Sequence, residues 1–418
     1  MIRVAFTLIG GDSWTGGYNY LLNLLRALSA HASGRVQPVL YFGDDLDDEL
    51  VAPFAALAGI VIVRSPSFRQ TLNSRRLRDA ILTGLDQSAA REFDAHGVDV
   101  IFEAARYYGW RVRTPAIAWI PDFQHRYLKR LFGFKSYWRR EFGFRAQVLS
   151  RRQVMLSSED ARQDCERLYP ATRGRTHVVH FAIPSPLEMA PSEIHAIAAQ
   201  YGLSGGFFFL PNQFWVHKNH ELVIDALQLL SARGIEVAIA ASGLQVDPRQ
   251  PGHFQRIKML IEEAGLERSF VLLGLIPHDH VLALMRASSA LINPSEFEGW
   301  STTVEEAKAT GTPMILSSLA VHKEQAQDKA LYFDKDSPEQ LARILETFDP
   351  LTAQQRLLLA HKSGIAAADA VRRFADQFSE LTEAVVRPHG SSDKRTASRP
   401  LAGPRPRTSG GTDERDRP

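Results

Sequence analysis

Thirteen short apolar, β-rich runs alternate with amphipathic helical patterns over most of this 418-residue chain, and that alternation narrows its possible folds more than any other feature. The first series is Arg3–Ile9, Val36–Phe42, Ile60–Val63, Val98–Ala104, Ala116–Ile120, Val154–Ser157 and His177–Ala182. The second is Phe207–Leu210, Glu236–Ala241, Phe270–Leu273, Ala290–Asn293, Met314–Ser317 and Leu331–Phe333. Helical patterns such as Tyr18–Ala30 and His220–Ala232 fall between them. Strands joined through a helix run parallel, and a parallel sheet is covered by helices on both faces. The expected class is therefore α/β with parallel sheets.

The two series part at Pro184–Ser204, where three prolines precede the helical pattern AIAAQYGL. This predicts two Rossmann-like domains, 1–184 and 205–350, joined by a linker at 185–204 and facing each other across a cleft. Ligands in such sheets sit beyond the carboxyl ends of the strands. Helical patterns at 351–387 close the ordered part. Residues 388–418 are mostly Pro, Gly, Ser, Thr and Arg with one leucine, too little apolar surface to order a chain, and are expected to be a disordered tail. That tail holds seven Lys/Arg against four Asp/Glu, a net of +3, so a total of +2 leaves the body near −1. No strong global field draws the body to nucleic acid or membrane. Cys165 is the only cysteine, which fits a reducing compartment. MIRVAFTLIGG is too short for a signal peptide and no apolar run approaches a bilayer span, so a cytoplasmic protein is expected.

The stretch FEGWSTTVEEAKATGTPM (Phe297–Met314) carries the strongest chemical signal. ALINPS before it reads as a strand and turn. A helix should begin near Thr303 and end at Gly311, with Pro313 just beyond. Thr302 and Glu305 fit a capping box, which explains Glu305 structurally. Glu298 and Glu306 have no such explanation. The turn Gly299–Thr303 offers amides and hydroxyls at a helix N-terminus, suited to a phosphate. The carboxylates would then face sugar hydroxyls, for which they are strong acceptors. Phosphate cradle and carboxylates together describe a sugar nucleotide; the alternative is a solvated acidic helix start.

Other segments can be placed around the same cleft. In LPNQFWVHKNHELVIDAL, Asn219 reads as an N-cap and Lys218 projects a charge where a diphosphate could lie; an ordinary exposed lysine is the alternative. GGDSWTGGYNY is neither a Walker loop nor a G-x-G-x-x-G fingerprint, but Gly16 and Gly17 would let the backbone approach a ligand, or simply make a tight turn. WIPDFQHRYL puts Asp122 and His125 past a strand end, where a histidine can donate or act as base, or be a satisfied loop residue. Neither His217 with His220 nor DDLDDE at Asp44–Glu49 has a metal-ligand pattern. Arg126–Arg152 holds nine Lys/Arg, one Glu and seven aromatic residues, which could serve an anionic membrane surface, a nucleic acid or an ordinary solvated helix face.

The segment EGWSTTVEEAKATGTP matches E-G-x-x-x-x-x-x-E-A-x-A-x-G-x-P, with Glu298 and Glu306 as its E-x7-E pair. On this match the chain resembles the retaining GT-B glycosyltransferases of family 4 (glycosyltransferase group 1) over about residues 1–385. NQFWVHKNH and FEGWSTTVEEA are similar to members that build bacterial surface polysaccharides. The resemblance implies a metal-independent, retaining hexosyltransferase with no cofactor beyond its nucleoside-diphosphate sugar donor. It implies a glycan or lipid-linked acceptor, no nucleic-acid partner, and a cytoplasmic place that could be peripheral at the inner membrane face through Arg126–Arg152. It assigns Glu306 to the ribose, Glu298 to the donor sugar, Ser301, Thr302 and Thr303 to holding the donor, Lys218 to the diphosphate, Ile276 to the base, Gly17 beside Gly16 to the phosphates, and His125 to the acceptor side. The 351–387 helices would cross back onto the first domain. One position departs: Gln213 stands where the family usually has arginine, removing a diphosphate partner worth ~1.5–3 kcal/mol if nothing replaces it. A glycosidase would also use two carboxylates but needs no phosphate cradle. A sugar-nucleotide epimerase of the same fold is the closer enzyme alternative; a non-enzymatic basic membrane or nucleic-acid binding protein would use Arg126–Arg152, with Glu306 irrelevant.

Overall fold

The structure is a computed structural model that describes residues 1–9, 15–104, 106–185, 189–203 and 205–387. The glycine-rich loop at 10–14 and the tail 388–418, expected to be disordered, lie outside the described residues. The first seven strands are β1 (Ile2–Thr7), β2 (Val36–Phe42), β3 (Val61–Arg64), β4 (Val100–Ala104), β5 (Ala116–Trp119), β6 (Gln153–Leu156) and β7 (Thr176–Val178). They form one parallel sheet in the order β3-β2-β1-β4-β5-β6-β7. The next six are β8 (Phe208–Leu210), β9 (Ile239–Ser242), β10 (Phe270–Gly274), β11 (Leu291–Asn293), β12 (Met314–Ser317) and β13 (Ala330–Phe333). They form a second parallel sheet in the order β10-β9-β8-β11-β12-β13. The strand order reverses beside β1 in one sheet and β8 in the other, and a crevice opens at such a switch point.

Burial follows the patterns in the sequence. β4, β5, β9 and β12 are buried at every residue, as strands covered on both faces should be. Helix Thr15–His31 lays Leu21, Leu24, Leu25 and Leu28 on the first sheet, and Tyr20 stacks on Trp119 at 4.1 Å between ring centroids. In the second domain, helix His220–Ser231 buries Val223, Ile224, Leu227 and Leu230 against β8, β9 and helix Pro338–Thr347. Helix Pro191–Gln200 packs against helix His278–Ala287, its Ile197 and Ala198 within the second domain's core.

Both sheets belong to one compact unit, Met1–Val386. A single 34-residue helix, Ala353–Val386, packs on β1, β4 and β5 of the first sheet and against helix Thr302–Thr310 of the second domain. At its start Arg356 donates to the carbonyl oxygens of Arg286 and Ser288, and the backbone of Ala360 passes so close to Gly311 that a Cβ there would lie 2.8 Å from it. Gly311 also has φ 72°, the left-handed C-cap geometry that glycine adopts at no steric cost. Farther along, Phe374 and Phe378 enter the first domain's core, with Phe378 5.7 Å from Phe6 and 5.6 Å from Phe102 between ring centroids. Arg35 pairs with Asp376 and Glu383 of the same helix.

Candidate active site

The loops at the carboxyl ends of β8 and β11 meet. After β8, Gln213 turns its carboxamide away to accept from the Leu244 amide at 2.7 Å, and the Val216 amide donates to Asp247 at 3.1 Å. This braces the 3₁₀ turn Val216–Lys218. Asn219 follows with φ 57°; it takes no capping role, and its side chain donates to the Lys335 carbonyl instead. The turn delivers Lys218 Nζ to 2.6 Å from Glu298 Oε1, with both side chains nearly buried. The Ser295 hydroxyl lies 2.7 Å from the same Glu298 oxygen and 2.6 Å from Asn293 Oδ1, and donates its one proton to either. Burial alone would push the Glu298 pKa up. The Lys218 ammonium overcomes it and holds Glu298 at about 2. Burial depresses the imidazoles of His322 and His217, so they are neutral near pH 7 and Lys218 is the charge that acts.

Helix Thr302–Thr310 begins one residue earlier than the sequence suggested. The expected Thr302–Glu305 capping box does not form. Gln325, from the helix after β12, does the capping. Its Oε1 accepts from the Ser301 amide and its Nε2 donates to the Ser301 carbonyl and to Glu305, each at 3.0 Å. Glu305 also takes Lys308 and is structural, as expected. Asn293 Nδ2 donates to the hydroxyls of Ser301 (2.9 Å) and Thr303 (3.2 Å), so these two hydroxyls brace the strand end. The first-turn amides of Thr302, Thr303 and Val304 have no protein acceptor among the described residues, which leaves the helix N-terminus able to receive an anion.

Glu306 sits in the same helix, 7% exposed, with Oε1 2.9 Å from Nε2 of the exposed His278. That hydrogen bond raises the His278 pKa against the opposing effect of burial. Ile276 packs at the edge of the second core, two residues beyond Gly274, whose φ of 72° turns the chain out of β10. Gly16 and Gly17 lie within the first turn of helix Thr15–His31, not in a loop before it, with Gly17 buried and Gly16 exposed.

His125 departs from expectation. It is fully buried, with Nε2 3.3 Å from Glu141 and its ring among Tyr137, Phe144 and Phe132. Burial lowers its pKa, and it does not line the cleft. It braces a loop whose other residues do the facing. Asp122 pairs with Arg140 and accepts from the Gln124 amide. A Cβ on Gly299 would lie 2.3 Å from the Pro121 carbonyl oxygen and 2.9 Å from Asp122 Cβ, so the glycine after Glu298 lets the two domains touch. Trp300 follows it across: its Nε1 donates to the Phe181 carbonyl at 3.1 Å and its ring stacks on His180. Arg130 pairs with Glu296 at 2.6 Å, and Glu324 accepts from the Glu159 and Asp160 amides at the start of helix Glu159–Leu168.

Arg249 was missed in the sequence. Its guanidinium donates to Gln124 of the first domain at 2.8 Å, lies 3.2 Å from His217 Nδ1, and stacks over Trp215 and Phe132. It brings a second cation to the Lys218 loop, where Gln213 supplies none. Its place just past the end of β9 was the available signal, because residues there face the cleft. Among the described residues no group of three His, Cys, Asp or Glu side chains is placed to hold a metal ion.

The geometry thus combines a cation-held carboxylate, an open helix N-terminus and a second carboxylate one turn into that helix. Residues 196–349 match the family model described as glycosyl transferases group 1. The chain carries a glycosyltransferase group 1 domain. Mannosylfructose-phosphate synthase from Agrobacterium fabrum is 24% identical over 123 residues, which is 29% of this chain and 27% of that protein, so the match spans about a quarter of that relative. The fold is shared more widely. Anabaena HepE, solved in complex with UDP and glucose, superposes with a TM-score of 0.67 at 16% identity, covering 92% of this chain and all of that one. WaaG, described as a glycosyltransferase involved in lipopolysaccharide biosynthesis, gives 0.54 at 16% identity over 92% of this chain and 98% of its own. These likenesses establish the GT-B fold, two Rossmann-like α/β domains with parallel sheets.

Proposed function

We propose that this protein is a retaining, metal-independent glycosyltransferase of family 4 type. It moves a hexosyl unit from a nucleoside-diphosphate sugar to a hydroxyl of a glycan or lipid-linked acceptor in surface polysaccharide biosynthesis. The observation that carries the reading is the Lys218–Glu298 pair beside the open N-terminus of helix Thr302–Thr310. Residues 205–350 hold the donor, residues 1–184 face the acceptor, and 185–204 join them.

In this reading Glu306 accepts from ribose hydroxyls, while Ile276 borders the base. The Thr302–Val304 amides and Lys218 take the diphosphate, with Arg249 standing in for the arginine absent at Gln213 and Gly17 approaching from the other domain. Glu298, held deprotonated, binds donor-sugar hydroxyls next to the anomeric carbon. The anomeric C–O bond to the diphosphate breaks as the acceptor oxygen bonds to the same face. The acceptor's proton passes to the departing phosphate oxygen. Catalysis then rests on neutralising the leaving group and on orientation in a closed cleft, without a cofactor. Attachment at the inner face of the cytoplasmic membrane through Arg126–Arg152 completes the proposal.

The test is a thermal-shift and hydrolysis panel of UDP-, GDP-, ADP- and dTDP-sugars on wild type and Glu306→Ala. UDP-sugars come first because HepE is seen with UDP. One nucleotide should stabilise the wild type and lose its effect in the variant. Failure of every nucleotide to bind would remove the transferase reading.

A further inference from the structure

We propose that Arg76, Arg106, Tyr108 and Thr7 of the first domain form a binding site for an anionic group, a phosphate or a carboxylate, carried by the acceptor. Assignment to the acceptor rests on the transferase reading; the anion site itself does not. The site stands where the strand order of the first sheet reverses, at the carboxyl ends of β1 and β4, and a crevice opens at such a point. β1 ends at Thr7, whose side chain falls on the same sheet face as Ala5. Tyr108, a few residues past β4, packs on that face with Ala5. Both are buried, Thr7 at 3% exposed and Tyr108 at 2%. Their hydroxyls approach each other, yet neither completes a hydrogen bond.

Arg76 comes to them from helix Asn73–Leu82, only 8% exposed, with its guanidinium 5.1 Å over the Phe68 ring. Its Nε donates to Asp86 Oδ2 at 2.9 Å. Nη2 lies as near the same oxygen without a hydrogen bond, and Nη1 has no acceptor among the described residues. Asp86 is already committed: its other oxygen takes the Ser88 hydroxyl and the Ala89 amide, capping helix Gln87–Ala95. A buried guanidinium with most of its N–H groups unused, beside two hydroxyls in the same condition, is uncommon, because each orphan costs its full desolvation. Arg106 adds a half-buried guanidinium that pairs with no carboxylate among the described residues. Burial raises the Tyr108 pKa, and Arg106, Thr7 and Arg76 oppose it, so both cations act at the phenol. Two cations thus face one carboxylate that is already satisfied. Water would fill the orphaned donors but leave the excess positive charge; an anion answers both. The loop after β5, the strand beside β4, touches Gly299, so this end of the sheet faces the second domain. Lys218 and Arg249, the cations placed for the donor diphosphate, belong to that second domain. Arg76 and Arg106 are left for an anion that arrives with the acceptor.

The experiment is isothermal titration of the full chain with inorganic phosphate, glucuronate and glucose, with and without the nucleotide that the donor panel selects. At least one of the two anions should bind, the tighter one naming the group, and glucose should bind roughly tenfold or more weakly. Arg106→Gln and Thr7→Val should each weaken the anion roughly tenfold or more while keeping the wild-type Tm and nucleotide affinity. Arg76→Lys keeps a cation beside Asp86 but removes the Nη groups, and should weaken the anion likewise. No anion binding, glucose binding as tightly, or anion binding that Arg106→Gln leaves intact would each overturn the proposal. So would anion binding that the nucleotide abolishes, since that anion would sit in the donor's diphosphate site. If no nucleotide sugar binds while the anions still do, the transferase reading falls and the anion site stands without its acceptor.

Discussion

Glu298 and Lys218 are each nearly buried, so neither charge is tolerable without the other. Lys218→Met would leave a buried carboxylate unpaired, at a cost of about 3–5 kcal/mol. The pH dependence follows from the sign. Glu298 is held at about 2 in the folded state, below an unfolded carboxyl near ~4.3. Its contribution to stability is full above the unfolded value and lost as pH falls toward 2. Urea unfolding should show the largest gap between wild type and Lys218→Met near neutral pH, with the gap closing in acid. His278 behaves in the opposite sense, because its folded pKa is raised by Glu306. Any Tm advantage of wild type over His278→Gln should be full below about 6.5 and fade as pH rises through the raised value. Exposure of His278 keeps that effect small and salt-sensitive. The E-x7-E spacing of Glu298 and Glu306 is readable in one dimension; the contact between Lys218 and Glu298, 80 residues apart, is not. The orientation of His125 was not, since a histidine just past a strand end can turn to the cleft or to the core, and only Glu141, sixteen residues on, decides.

Helix Thr302–Thr310 shows the same limit one level up. Its existence and its end at Gly311 were readable from local residues. Its N-terminal cap was not, because the partner is Gln325 on another helix. Gln325→Leu should cost about 1–3 kcal/mol by leaving the Ser301 amide and Glu305 without their partner, measurable by urea unfolding. Each run found one of β1–β13; the central strands were legible because strands buried on both faces are short continuous apolar runs. The turn between β11 and this helix belongs to both domains. Gly299→Ala would place a Cβ 2.3 Å from the Pro121 carbonyl oxygen and wedge the cleft. The expected result is a fall in kcat of roughly tenfold or more with much less change in donor affinity, read from steady-state kinetics beside direct binding of the nucleotide sugar.

At the scale of the whole molecule, the resemblance led to helices after 350 that cross back onto the first domain, but not to a single continuous helix, Ala353–Val386. Nothing local in AAADAVRRFADQFSELTEAVV says which sheet it will cover; only the assembled core does. Phe374 and Phe378 are fully buried beside Phe6, Tyr20 and Phe102. Phe378→Ala should destabilise by about 3–5 kcal/mol, and the loss should register as faster amide exchange in β1 and β4, far away in sequence in the first domain.

That long helix also sets an order of events during synthesis. The first sheet is complete in sequence by Val178, yet the surface that Phe374, Phe378 and Leu381 cover stays open until the last helix leaves the ribosome. At ~5–20 residues per second, the gap is roughly ten seconds or more. The domain made first is finished last, and a nascent chain stalled before Ala353 carries an uncovered aromatic face into the cell.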